Sequence, residues 1–294
     1  MSKPVIKKIK KILWATDFSK ESTFCLPYIK FFSEILNTRN LSLYVLPKFS
    51  DWVYETSLFT NEDLLKEVMK AKKKALTKIN TYGQTRQIKL KPEIIEGIAS
   101  EEILRFAKEN DAQLIFAGRR GISELEQLLI GSTTSRLIRN SEIPVFVVPK
   151  AKRQAAVKKI LVPVDFNNPA LLELVYGISL ARQLKAKIVV IHVAQFFNYR
   201  VPVLERDKLV AGIRKKIESI AKANKYTIEN IFFEIGEPAQ KIIEISRREK
   251  ADVIAMATHQ RSGIEKLFLG SVVEKVLLVS EVPLLVLPYS YISS

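Results

Sequence analysis

The stretch IKKILWATDF, residues 9–18, returns later in the chain as VKKILVPVDF, residues 157–166. Both copies contain KKIL and an Asp-Phe pair, so Asp17 corresponds to Asp165. A second match follows in the same order, because LLIGSTTSRLIRNSEIPVFVVP overlies LFLGSVVEKVLLVSEVPLLVLP and aligns Gly131 with Gly270. The chain is therefore an internal duplication. About nine extra residues of the first half fall around the aromatic segment PKFSDWVYETSLFT, residues 47–60.

Each half alternates short apolar strands with helices, which is typical of a parallel sheet covered on both faces. The pattern predicts an α/β protein with two tandem doubly wound, Rossmann-like domains, divided as residues 1–150 and 151–294. The first strand of each half ends at an aspartate, and the helix after it is expected to be capped near Ser19 or Asn168. Ligands of such sheets lie beyond the carboxyl ends of the strands, where the strand order reverses. We therefore expect Asp17 to face the loop after the fourth strand.

Composition limits the classes of partner. The formal net charge of +16 raises nucleic acid as a partner, but the lysines are spread over helix faces and no zinc spacing or RNA-binding signature accompanies them. We expect neither nucleic acid nor membrane as a partner, since no run of about 18 apolar residues is present. One cysteine, Cys25, suits a reducing compartment and is expected to be packed, so the sequence favours a cytoplasmic protein. The long basic helix is expected to bury one apolar stripe: Leu65, Val68, Met69, Leu76 and Ile79.

A glycine-marked loop follows the fourth strand of the first half. It contains Gly118-Arg119-Arg120-Gly121 and, nine residues later, Gly131 followed by Ser132, Thr133 and Thr134. Glycine permits positive φ angles and close approach of backbone N–H groups to an anion. The first N–H groups of the helix after Gly131, with the hydroxyls of Ser132 and Thr133, suit phosphate oxygens. Arg119 and Arg120 are candidates for further phosphate contacts.

These residues resemble the universal stress protein family, whose nucleotide-binding members carry G-x2-G-x9-G-S/T. The resemblance covers both halves and implies a tandem member with an adenine nucleotide alpha hydrolase-like fold. It implies that Asp17 and Val45 lie near adenosine, and that Gly118, Gly121, Gly131, Ser132 and Thr133 hold the phosphates of ATP or AMP, with or without Mg²⁺. It also implies a stress-response role through unidentified protein partners. The closing strands VFVVP and LLVLP are expected to pair as an intramolecular pseudo-dimer, and a further homodimer stays open.

The second half departs from this motif. Ala257 and Gln260 replace the first two glycines, while Asp165, Val193, His259 and Arg261 remain possible contacts for a smaller adenine ligand. We expect one competent nucleotide site per chain, in the first half. No nucleophile–base pair is visible, and His259 alone does not supply one, so no catalytic residue is assigned. A slow ATPase or nucleotide-dependent enzyme and a nucleotide-independent scaffold remain the alternatives.

Overall fold

The protein is described from a computed structural model. The structure describes residues 8–48, 61–120, 130–152, 154–166, 171–194, 203–258 and 270–288. The chain divides into two compact units, the first covering residues 9–155 and the second including residues 156–294. Each helix in the described residues is too short or too polar to span a bilayer.

The first unit alternates strands and helices as the sequence predicts. Its strands are β1 (Lys11–Ala15), β2 (Arg39–Leu46), β3 (Leu90–Glu96), β4 (Leu114–Gly118) and β5 (Val145–Val148). Its helices are α1 (Lys20–Thr23), α2 (Leu26–Leu36), α3 (Asn61–Arg86), α4 (Ala99–Glu109) and α5 (Ser132–Asn140). The strands are parallel in the order β3-β2-β1-β4-β5. The strand order therefore reverses between β1 and β4, which makes their carboxyl ends the switch point of the sheet.

Alternating side chains of the central strands build two core layers. Leu13, Leu43 and Ile115 belong to the cluster that also holds residues of α4 and α5. On the opposite side, Phe116 lies edge-on to Phe32 of α2 at 5.4 Å between ring centroids. Because both of their faces are packed, the central strands β1 and β4 are apolar in nearly every position, and the expected parallel α/β fold is confirmed.

The second unit repeats this order of elements. Its strands are β6 (Lys159–Pro163), β7 (Lys187–Ala194), β8 (Asn230–Ile235), β9 (Val253–Ala257) and β10 (Leu284–Leu287). Its helices are α6 (Leu172–Leu184), α7 (Val203–Ala223), α8 (Pro238–Arg248) and α9 (Ser271–Val279). The strands are again parallel, in the order β8-β7-β6-β9-β10. The pairing of VFVVP with LLVLP stays a prediction.

Two local expectations need correction. The helix predicted after β1 is broken into α1 and α2, because Pro27 cannot donate a backbone hydrogen bond and occupies the first turn of a new helix. The apolar stripe of α3 is narrower than expected. Ile79 and Val68 are buried, but Leu65 is 61% and Met69 70% exposed. Ala75, which the sequence analysis did not include in the stripe, is buried with Val68 and Ile79. Of the two predicted helix caps, Ser19 caps α1, and Asn168 lies outside the described residues.

Candidate site at the carboxyl ends of β1 and β4

A cavity of about 170 Å³ opens at the switch point of the first unit. Most of the residues predicted from the sequence line it: Asp17, Val45, Gly118, Arg120, Gly131, Ser132 and Thr133. Arg119 is half-buried beside the cavity without lining it. Gly121 and the aromatic segment after β2 lie outside the described residues. The structure therefore brings the strand-one aspartate and the two ends of the glycine loop to one place.

The backbone turn after β1 fixes the carboxylate of Asp17. Its Oδ1 accepts hydrogen bonds from the backbone N–H of Ser19 at 2.9 Å and from the Ser19 hydroxyl at 2.6 Å. The same hydroxyl oxygen accepts from the N–H of Ser22 and so caps α1. Thr16 joins this network, because its hydroxyl lies 3.1 Å from that of Ser22. Asp17 is thus held in one orientation at the edge of the cavity.

Gly118 lies in a close backbone contact that the sequence did not predict. Among the described glycines only Gly97 and Gly236 have a positive φ, and Gly131 has φ −56°. A Cβ on Gly118 would lie 2.8 Å from the carbonyl carbon of Glu21 and 2.9 Å from the backbone nitrogen of Ser22. Glycine is therefore required here by the close passage of α1 over the end of β4. The close packing described at Gly118 is against the protein's own backbone, and contact of the glycine loop with a phosphate stays a prediction.

The first turn of α5 points into the cavity. Gly131, its N-cap, has no side chain to accept hydrogen bonds from the first N–H groups of the helix, so these groups stay available to an anion. The N–H of Gly131 donates to the carbonyl of Arg119 at 2.9 Å, which ties the start of the helix to the end of β4. The hydroxyl of Thr134 donates to the Gly118 carbonyl at 2.7 Å and strengthens that link.

The site has a negative end and a positive end. Asp17 lies after β1, and its charge, second to burial, raises the pKa of both Cys25 and Tyr44. At the other end, burial and then the charge of Arg120 lower the pKa of Arg119. Two guanidinium groups and the positive end of the α5 dipole therefore favour an anion on the β4 side. A ligand with a neutral polar part and an anionic part matches this arrangement.

Several lining residues were not predicted as site residues. Ser22 belongs to α1, Ala99 and Ile103 come from α4, and Thr134 comes from α5. The hydroxyl of Thr134 was visible in the GSTTS sequence, and its distance from Gly118 could have been inferred only from the fold. Ala99 and Ile103 had no sequence signal beyond the apolar face of a helix.

The corresponding end of the second unit is less polar around the glycine loop. Val272 and Val273 stand where the first unit has Thr133 and Thr134, and Ala257 stands where it has Gly118. Glu173 stands at the position of Cys25 and is only 4% exposed, and its carboxylate accepts from the N–H of Asp165 at 3.3 Å. This end of the second unit therefore has an additional carboxyl group and fewer hydroxyl donors than the first. Gln260, His259 and Arg261 lie outside the described residues.

A larger cavity of about 620 Å³ lies elsewhere in the second unit. It is lined by the end of α7 and by residues 225–231, which lead into the amino end of β8. Ligand sites of doubly wound sheets lie at the opposite, carboxyl ends of the strands. Volume alone therefore does not make this cavity the functional site.

Comparison with known proteins agrees with the architecture. The sequence matches the model of the Universal stress protein family over residues 8–149 and again over residues 156–288. The chain belongs to the universal stress protein family, with two family domains in tandem.

Relatives are archaeal as well as bacterial. The chain is 30% identical over 155 residues to universal stress protein MJ0577 of Methanocaldococcus jannaschii, covering 48% of this chain and 95% of that protein. It is 36% identical over 93 residues to universal stress protein MJ0531 of the same organism. That match covers 31% of this chain and only 55% of the length of that relative. A universal stress protein structure from Archaeoglobus fulgidus superposes with a TM-score of 0.75 at 21% identity, covering 96% of this chain and 99% of that one. This last likeness confirms the fold.

Proposed function

We propose that the first unit binds an adenine nucleotide, ATP or AMP, at the carboxyl ends of β1 and β4, and that the protein acts as a binding or regulatory module in a stress response. The observation that carries the proposal is the cavity with Asp17 at one end and the first turn of α5 with Arg120 at the other. Asp17 and Val45 are assigned to the adenosine. Gly131, Ser132 and Thr133 are assigned to the phosphates, together with the loop glycines Gly118 and Gly121.

The chemistry of the lining fits these assignments. A helix N-terminus provides N–H donors and a favourable dipole for phosphate, and hydroxyls next to it add donors. Asp17 can accept hydrogen bonds from ribose hydroxyls, which are donors of the right type. Pockets that enclose a whole small molecule are about 300–1,000 Å³. The cavity of about 170 Å³ is smaller, so a bound nucleotide would extend beyond it.

Magnesium can accompany a nucleotide without a protein cage, since Mg²⁺ commonly uses one or two carboxylates together with phosphate oxygens. In the described part of the chain, no group of three or more His, Cys, Asp or Glu side chains is placed to hold a metal ion. Any Mg²⁺ would therefore depend on the phosphate oxygens of the nucleotide. We assign no catalytic role to the lining residues and propose binding rather than turnover.

Matched serines at the two helix N-termini test the proposal. Ser132 opens α5 and Ser271 opens α9. Loss of a hydrogen bond to a charged group costs about 1.5–3 kcal/mol, so Ser132→Ala should weaken ATP binding by about tenfold or more. Ser271→Ala should leave the affinity within about twofold. Isothermal titration calorimetry with ATP, AMP and adenosine measures both effects. No binding of any adenine nucleotide to the wild-type protein would refute the proposed function.

A further inference from the structure

Thr134 makes a buried contact across the candidate site. Its side chain belongs to the first turn of α5, and the residue is only 5% exposed. The hydroxyl donates to the carbonyl oxygen of Gly118 at 2.7 Å. This bond joins residues far apart in sequence, at the two ends of the glycine loop. It fixes the start of α5 relative to the end of β4.

Further contacts link Gly118 to Asp17 on the other side of the cavity. Gly118 abuts the backbone of Glu21 and Ser22, since a Cβ there would lie under 3.0 Å from both. The N–H of Ser22 is capped by Ser19, whose own N–H and hydroxyl hold Asp17. One chain of close contacts thus runs from the first turn of α5 to the carboxylate of Asp17. A displacement of Thr134 would therefore disturb both the first turn of α5 and the position of the Asp17 carboxylate.

The second unit supplies an internal comparison. Val273 occupies the position equivalent to Thr134 and is 3% exposed in the first turn of α9. Valine is therefore accommodated at this buried position of the same fold, and the hydroxyl is not needed to form the helix or its packing. The first unit, where the arginines and hydroxyls cluster, is the one that keeps the hydroxyl.

We propose that Thr134 is a positioning residue, which holds the first turn of α5 in place for an anionic ligand without itself needing to contact that ligand. The inference rests on the proposed nucleotide site. Fixed N–H groups bind an anion more tightly than mobile ones, because less ordering is required on binding. Without the hydroxyl, the N–H groups of Ser132 and Thr133 lose one of the bonds that fix them against β4.

Three variants separate positioning from general destabilisation. Thr134→Val removes the hydroxyl with little change in shape, and Thr134→Ser keeps it. Ile138→Val is the control, because Ile138 is a buried residue of the same helix at 3% exposure and does not line the cavity. Titration calorimetry with ATP should show about three- to tenfold weaker binding for Thr134→Val. Thr134→Ser and Ile138→Val should bind within about twofold of wild type. Equal affinity of Thr134→Val and wild type, or an equal loss in Ile138→Val, would overturn the inference.

A measurement without nucleotide distinguishes failure of this inference from failure of the proposed function. Hydrogen exchange of the ligand-free protein should be faster at the amides of Gly131 and Ser135, which donate to the carbonyls of Arg119 and Gly131, in Thr134→Val than in wild type and Thr134→Ser, because the first turn of α5 opens more readily. Unchanged exchange there would refute the positioning role, whatever the protein binds. Faster exchange in a protein that binds no adenine nucleotide would support the positioning role and reject the nucleotide as ligand.

Discussion

Gly118→Ala should destabilise the first unit even in the absence of any ligand. The added Cβ would lie 2.8 Å from the carbonyl carbon of Glu21, 2.9 Å from its oxygen and 2.9 Å from the nitrogen of Ser22. All three are backbone atoms, so no flexible side chain can swing away to relieve the contact. The backbone of α1 must therefore move away from β4. This movement would disturb the hydrogen bond that the indole N–H of Trp14 donates to the carbonyl of Ser22 at 2.9 Å.

The magnitude follows from measurements on overpacked cores, where added carbon atoms cost about 1–3 kcal/mol. With a urea dependence of about 2 kcal/mol per molar for a unit of this size, the unfolding midpoint should fall by about 0.5–1.5 M. Both tryptophans of the chain, Trp14 and Trp52, belong to the first half of the sequence, so tryptophan fluorescence follows unfolding of that half. Urea titrations of ligand-free protein by fluorescence are therefore the assay.

Gly270→Ala controls for a glycine-to-alanine change that leaves the first unit uncrowded. Gly270 precedes α9 as Gly131 precedes α5, and a Cβ on Gly270 would meet nothing within 4 Å. Its urea midpoint by fluorescence should equal that of wild type. If Gly118→Ala has the wild-type midpoint without ligand and loses only nucleotide affinity, the steric reasoning is refuted and a phosphate contact alone explains the glycine.

Three further predictions concern other parts of the chain. Gly212→Ala in α7 should raise the stability of the second unit by about 0.5–1 kcal/mol, because the new methyl group meets nothing within 4 Å and alanine favours the helix. The measurement is the melting temperature, which should rise, and a fall would contradict the prediction. Cys25, fully buried with its pKa raised first by burial, should not react with a thiol reagent until the protein unfolds, and prompt modification of folded protein would show the burial to be wrong. The hydrogen bond from Lys187 is the largest influence on the pKa of Glu229 and lowers it, while burial, the next largest, raises it. The net result is a pKa below the ordinary value. A lowered pKa in the folded state means that Glu229 stabilises above its unfolded pKa and loses this contribution as pH falls through the folded one. Glu229→Gln should therefore cost about 0.5–1 kcal/mol at neutral pH and nothing in acid, and an equal cost at both would reject the ion pair as the cause.

The fold could be predicted from the sequence because its signals are redundant. The duplication, the apolar strands and the aspartate after β1 all indicate the same doubly wound sheet, and each half repeats the indication. The break between α1 and α2 was missed although Pro27 was visible, because the capped helix at Ser19 looked continuous with it.

The sequence predicted many of the residues that line the cavity, but not the backbone contacts among them. Asp17, Arg120 and Ser132 follow strand ends or open a helix, so their convergence follows from the topology. The steric need for Gly118, where an added Cβ would lie 2.8 Å from the carbonyl carbon of Glu21, could not be predicted, because no local sequence pattern reveals which backbone passes over the end of β4. Leu65 and Met69 continue the helical period but lie beyond the width of the surface that the sheet covers, since periodicity gives direction and not the extent of the partner.

The most direct test of the account is the number of ATP molecules bound per chain, measured by titration calorimetry on wild type and on the aspartate variants Asp17→Ala and Asp165→Ala. We expect one site per chain, lost or greatly weakened in Asp17→Ala and kept in Asp165→Ala, with melting temperatures recorded to show that both variants are folded. Two equivalent sites in wild type, or binding that is lost in Asp165→Ala and kept in Asp17→Ala, would contradict the assignment of nucleotide binding to the first unit.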